Sequence, residues 1–390
     1  MPETKDQTMP FDFDTPIDRK GTYSEKWERY AGSEIIPLWV ADMDFRSPPA
    51  ILQALHDRID HGVLGYTAVP QPLIEVFCQY VRDSYHWDIS PDWVVFIPGL
   101  VCGLNITAAA VGQPGDSVLT ATPVYPPFFS GPKNMGRQVL RVPLARTGGR
   151  WQLDFEAFER AVQPDTRLFL LCNPHNPVGR CFDKDELLGV AKFCDRHDLV
   201  ICADEIHNEL VLSPDKQHIP IASLDPEIAR RTITLMAPSK TYNIPGLGAS
   251  VAIISNPELR VRFRRAMAGI VPHVNVLGLV AALAAYQDCR AWRDELLAYL
   301  RGNRDLVDRE ISGIPGLSIS PVEGTYLSWI DARGLGVEHP ATFFEKAGVG
   351  LSDGIPFDGA GFVRLNFGCP RPLLVKALAR MKSAVAKLRG

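Results

Sequence analysis

The sequence predicts an α/β fold in which a large domain with a mostly parallel, seven-stranded sheet is followed by a smaller α+β domain. Three observations lead there. Between about residues 93 and 255, apolar strand-like runs alternate with helical patterns, as a parallel sheet covered by helices requires. After Asn256-Pro257 the pattern turns to long helices. With 390 residues, 46% of them hydrophobic, the chain is long and apolar enough for one large domain and a smaller one.

The seven runs span 93–97, 117–121, 138–142, 167–172, 199–203, 232–236 and 249–254. Residues 183–197 start polar and carry apolar residues at helical spacing, which predicts a crossover helix. Further helices are expected over 257–267, 274–287 and 291–311, the last long enough to bridge two domains. Strands near 325–330 and 361–366 and a helix over 371–388 complete the small domain. The expected division is 1–45 as an N-terminal arm or part of the small domain, 46–288 as the large domain and 289–390 as the small one. The arm holds the apolar patch Ile36-Pro37-Leu38-Trp39-Val40, expected to pack across the domain interface or onto a partner subunit.

Charge narrows the partners. A formal net charge of −4 gives no footprint for nucleic acid or an anionic membrane. The eight cysteines, at 78, 102, 172, 181, 194, 202, 289 and 369, form no CxxC pair and no Cys/His cluster at metal-ligand spacing, so reduced thiols and no metal site are expected. The N-terminus lacks the apolar core of a secretory signal, and no apolar run nears the ~20 residues that span a bilayer. The expectation is a cytoplasmic protein acting on a small molecule.

Chemistry concentrates at the ends of three successive strand runs. Residues 170–179, LLCNPHNPVG, end one run in polar turn residues that include Asn176. Residues 200–207, VICADEIH, put Asp204 at the carboxyl end of the next, with His207 three residues on. Residues 237–248, APSKTYNIPGLG, place Ser239 and Lys240 just after a third. Alone, Lys240 reads as a surface charge and Asp204 as a helix cap. Together they put an amide, a carboxylate and a lysine where open α/β sheets bind ligands, a set that suits a pyridine-aldehyde cofactor. Residues 96–103, FIPGLVCG, add a strand, a glycine turn and a helix start; helix N-termini bind phosphate through free backbone N–H groups, here those of Leu100 and Val101, and the Ser239 hydroxyl next to Lys240 is a further candidate.

In this order, NPxxPxG, ADEIH and SKTxNxxG resemble the fold-type I pyridoxal-phosphate (PLP) enzymes of the aminotransferase class I/II superfamily, along nearly the whole chain. Ile17–Thr22 (IDRKGT), Trp39–Phe45 (WVADMDF), Gly324–Trp329 (GTYLSW) and Arg364–Arg371 (RLNFGCPR) are similar to its cystathionine β-lyase (C–S lyase) branch. The resemblance implies that Lys240 carries PLP as a Schiff base and moves the Cα proton. It implies that Asp204 pairs with the ring nitrogen, Asn176 reaches the ring oxygen and Tyr125 stacks on the ring. It further implies a homodimer with shared active sites, Tyr66 reaching the partner's phosphate, and Arg364 holding the substrate carboxylate. His207 reads equally as a cofactor contact or as a buried polar support for Asp204, and either tyrosine also reads as a core aromatic. Two positions depart from the pattern: a phosphate-binding arginine eight residues after the lysine is Gly248 here, and a serine three residues before it is Ala237.

These residues serve two outcomes. The subfamily blocks imply β-elimination from a thioether amino acid such as L-cystathionine, giving a thiol, pyruvate and ammonia. The alternatives are an aminotransferase on the same scaffold and a non-catalytic PLP-binding regulator.

Overall fold

The computed structural model describes residues 11–390; residues 1–10, part of the expected arm, lie outside the described residues. Seven strands form the large sheet: β1 (Val94–Ile97), β2 (Ser117–Thr122), β3 (Gln138–Pro143), β4 (Thr166–Cys172), β5 (Val200–Asp204), β6 (Thr232–Met236) and β7 (Ser250–Ile253), in the spatial order β1-β7-β6-β5-β4-β2-β3. All seven predicted runs are strands. Only β7 runs antiparallel to its neighbours, pairing Ser250 with Ile97 and Val251 with Met236.

The sheet is buried on both faces. Side chains alternate across a strand, and along β4 Leu168, Leu170 and Cys172 enter one core while Phe169 and Leu171 enter another. Both cores are sealed by helices, so β2 and β6 are buried at every position, as parallel strands in such sheets are. The predicted crossover helix, α1 (Lys184–Arg196), starts at Asp183, which accepts from the Glu186 N–H while the Glu186 side chain accepts from the Asp183 N–H. This reciprocal cap fixes where the helix begins.

Helices at Pro257–Met267, Val276–Asp288 and Arg290–Ser312 follow β7. A second sheet holds β8 (Ser318–Ile319), β9 (Leu327–Asp331), β10 (Ser352–Asp353) and β11 (Phe362–Asn366), ordered β8-β9-β11-β10 and antiparallel throughout. The last helix is Arg371–Arg389. Two further helices, Pro49–Asp60 and Gln71–Tyr85, precede the large sheet, each with a proline in its first turn. Proline is tolerated there because its missing N–H would have had no helical partner. Among the described residues no helix is long and apolar enough to cross a membrane, and all eight cysteines are free.

The apolar patch of the arm packs within its own chain. Ile36–Pro37 pairs in parallel with Val349–Gly350, the Leu38 N–H donates to Gly350 O (2.7 Å) and the Asn366 N–H donates to Leu38 O (2.9 Å). Phe13, Leu38, Met43 and Phe45 enter one core with Trp292, Tyr299, Leu365 and Phe367. This lays residues 39–45 along the end of β11, where Arg364 sits.

Gly350 sets how closely the arm docks. A Cβ there would lie 2.5 Å from ring carbon Cε2 and hydroxyl of the buried Tyr30. Gly350→Ala is expected to lower stability by about 1–3 kcal/mol, the range for overpacking, read as a fall in the urea midpoint.

Candidate active site

The carboxyl ends of β4, β5 and β6 open into one cavity of about 890 Å3, closed on its other side by the arm and the small sheet. It is lined by Asn176 after β4, Asp204 ending β5 with His207 beyond it, Ser239 and Lys240 after β6, Tyr125 after β2, Leu100 and Val101 after β1, and Arg364 on β11. All the sequence-predicted site residues meet there except Tyr66, which is fully exposed and lies off the cavity.

Asp204 is buried, with one hydrogen bond, from the Ile206 N–H to Oδ1 (3.2 Å). Burial pushes its carboxyl up to about 7; Glu205 adds to the rise, while Ile206 and Lys240 act against it. A cation placed against this carboxylate would restore its charge. Burial brings the Lys240 amine down to about 8, Arg364 adding to the fall while Asp42 and Asp204 oppose it. Its Nζ donates to Ala41 O at 2.7 Å. Burial, reinforced by Lys240 and Arg364, takes the His207 imidazole down to about 3. His207 is therefore neutral; its Nδ1 has no partner, no hydrogen bond joins it to Asp204, and its ring stands edge-on to Tyr326 at 6.0 Å.

Arg364 is a buried charge without a counter-ion. It is 5% accessible, and its guanidinium donates to Asn176 Oδ1 (3.0 Å), Trp39 O (2.8 Å) and Ser352 Oγ (3.2 Å) over the face of Phe357. None of these partners is an anion, and its Nε has none at all. Burial alone draws it down to about 10, against Tyr125 and Tyr326. A buried cation satisfied only by neutral acceptors favours an incoming carboxylate.

Several of the site's acceptors are carbonyls of the Trp39–Asp44 strap, which no side-chain pattern reveals. Ala41 O takes Lys240 and the Tyr326 hydroxyl (2.9 Å), Val40 O and Asp42 O take Asn366 Nδ2 (2.5 and 2.6 Å), and Trp39 O takes Arg364. Charge holds the strap in place. Asp44 accepts from Arg19 (2.7 Å), Lys26 (2.6 Å) and Trp27 Nε1 (2.9 Å), and Asp42 accepts from Arg19 (2.7 Å). Thus Arg19 and the acidic pair of WVADMDF form one partly buried network. Tyr326, Ser352 and the strap carbonyls were not among the residues singled out; the pairing of IDRKG with two aspartates was the available signal.

At the other end of the cavity, the helix Leu100–Ala110 begins directly after Gly99, leaving the Leu100 and Val101 N–H groups without helical acceptors. Gly248 explains one departure from the resemblance. Its φ is +58° and a Cβ there would lie 2.8 Å from Pro98 O, so an arginine at this position would meet backbone. The donor set suits a phosphorylated pyridine aldehyde: free N–H groups and Ser239 for the phosphate, an under-bonded buried carboxylate for a ring cation, and a primary amine for the aldehyde.

Removing Asp44 would leave Lys26, fully buried, without its closest anion. Asp44→Ala is expected to cost about 3–5 kcal/mol at pH 7 in urea unfolding. Burial raises the Asp44 carboxyl, but Lys26, Trp27 and Arg19 outweigh it and hold it below 3.8. A depressed folded value means the contribution is present above about pH 4 and lost as pH falls through that folded value, so wild type and variant should converge in acid.

Comparison with known proteins agrees with this geometry. Cystathionine beta-lyase PatB of Bacillus subtilis (strain 168) is 36% identical over 390 residues, covering 96% of this chain and 100% of that protein. The crystal structure of OvoB superposes with a TM-score of 0.94 at 49% identity, over 96% of this chain and 99% of that one. Cystalysin from Treponema denticola, whose crystal structure contains a pyridoxal 5'-phosphate cofactor, superposes with a TM-score of 0.93 at 35% identity, over 97% and 100%. A family model described as aminotransferase class I and II matches residues 33–381, and the chain belongs to that family.

Proposed function

We propose that the protein is a PLP-dependent carbon-sulfur β-lyase, taking L-cystathionine or a related cysteine S-conjugate to a thiol, pyruvate and ammonia. The observation that carries this reading is Arg364, a buried guanidinium without a counter-ion across one cavity from Lys240 and Asp204. An α-amino acid brings the carboxylate that Arg364 lacks. The relatives named as cystathionine beta-lyases supply the choice of reaction over amino-group transfer.

When bound, PLP supplies an electron-withdrawing ring that stabilises the charge left on Cα after its proton departs. Lys240 would hold the cofactor's aldehyde through its primary amine, and that amine, tuned close to neutrality, would be the group that moves the Cα proton. Asp204 would pair with the ring nitrogen and favour its protonated form, and Asn176 would offer its amide to the ring oxygen. Tyr125 would stack on the ring, and neutral His207 is placed to contact it. The Leu100 and Val101 N–H groups and the Ser239 hydroxyl would take the phosphate. Arg364 would hold the α-carboxylate and so orient the substrate.

The reading extends to a homodimer with shared sites and a small C-terminal unit from about residue 289. Tyr66 supports the first: it is fully exposed beside exposed Val63 and Leu64, as a residue serving a partner's phosphate must be. Eight unpaired cysteines support a cytoplasmic location.

The test incubates the holoprotein with L-cystathionine while thiol and pyruvate are followed, with and without a 2-oxo acid. Equal thiol and pyruvate without the oxo acid is the expected result; amino-group transfer that requires it would overturn the lyase reading. Lys240→Ala is expected to cut pyruvate formation by about 1,000-fold, within the range for a lost acid-base group.

A further inference from the structure

We propose that Tyr326 is a positioning residue for Lys240: its hydroxyl holds the Ala41 carbonyl at the point where the free amine rests. This rests on the reading of Lys240 as the proton-moving group and adds the residue that aims it.

Lys240 Nζ has one hydrogen-bond partner among the described residues, Ala41 O at 2.7 Å. A carbonyl oxygen accepts two hydrogen bonds, and the Tyr326 hydroxyl supplies the second at 2.9 Å. The neighbouring strap carbonyls are held by other side chains: Trp39 O by Arg364 and Ser352 Oγ (both 2.8 Å), Val40 O and Asp42 O by Asn366. Ala41 differs, because one of its two donors is the amine that would leave for the cofactor's aldehyde and return. With the amine away, Tyr326 is the side chain that keeps this carbonyl aimed. Tyr326 does not line the cavity, so it acts through the carbonyl and not on a ligand. One anchored N–H fixes where the amine sits, and proton transfer is sensitive to that position.

Tyr326 is itself held in one place. The preceding residue, Thr325, has a φ of +72°, a region that β-branched residues rarely enter. Its N–H donates to Leu210 O (2.8 Å) and its Oγ1 accepts from the Leu327 N–H (3.2 Å), which fixes it there. Backbone over-determined in this way clusters at functional sites. The Tyr326 side chain is fully buried, His207 stands edge-on to its ring at 6.0 Å, and a Cβ at Gly368 would lie 3.3 Å from its Cδ2. Burial and Asp42, against Arg364, hold the phenol well above its usual range, so it remains a donor.

The test follows exchange of the L-alanine Cα proton in D2O on the holoenzyme, a substrate with nothing to eliminate, alongside pyruvate formation from L-cystathionine. Tyr326→Phe, which removes only the hydroxyl, is expected to lower the saturated exchange rate about 10–100-fold, the scale of a small misplacement, while the half-saturating L-alanine concentration stays near that of wild type. Ser352→Ala, which frees the Trp39 carbonyl and one contact of Arg364, is expected to do the reverse, weakening L-alanine more than it slows exchange. Covalent capture of saturating pyridoxal 5'-phosphate by the apoprotein, read from its absorption band, is expected to be about tenfold slower in Tyr326→Phe. An unchanged exchange rate, an equal slowing in Ser352→Ala, or unaltered capture overturns the proposal. Should the wild type exchange the Cα proton of L-alanine yet form no pyruvate from L-cystathionine, the lyase reading fails and the exchange comparison still decides the role of Tyr326.

Discussion

Two cations, Lys240 and Arg364, are taken out of water in one cavity, and the site is organised around giving them neutral acceptors instead of counter-ions. Burying a charge is tolerated only when its hydrogen-bonding capacity is met. Here the carbonyls of Trp39 and Ala41, the Asn176 amide and the Ser352 hydroxyl meet it. A carboxylate in their place would lock both residues into internal ion pairs. Neutral partners leave the positive charge unspent, available to an anionic substrate and to an amine that must gain and lose a proton near neutrality.

The constraint reaches outward through the strap. Backbone carbonyls hold position only as well as the chain that carries them, and this chain is an irregular segment with no sheet of its own beyond Ile36–Pro37. Its rigidity comes from Asp42 and Asp44 tied to Arg19 and Lys26, and from Asn243 and Asn366 reading its remaining backbone groups. Anions are thus present close to the site but are already committed to Arg19 and Lys26, a turn of chain away from Arg364. Asp204, among the carboxylates that line the cavity, sits at the end of a central strand.

How much of this was legible in the sequence follows from what each feature is made of. The seven strands were, because buried parallel strands are short apolar runs and nothing else in the chain looks like them. The reversed direction of β7 was not, since an apolar run reads the same both ways. The helix Gln71–Tyr85 is absent from the elements expected from sequence, although Leu73, Phe77 and Val81 sit at helical spacing. At the site, Asn176, Asp204 and Lys240 were legible because strand ends are where ligands bind. The Trp39 and Ala41 carbonyls were not, because a backbone acceptor leaves no mark on residue type.

The central claim is that Arg364 is an unspent cation. Its most direct test is the binding of L-alanine against L-alaninamide to the holoprotein, for wild type and Arg364→Gln. The account expects the carboxylate to bind about 10–100-fold more tightly than the amide in wild type, as a charged hydrogen-bond pair of ~1.5–3 kcal/mol implies, and the preference to vanish in the variant. An amide that binds as well as the acid, or a preference that survives the loss of Arg364, would contradict it.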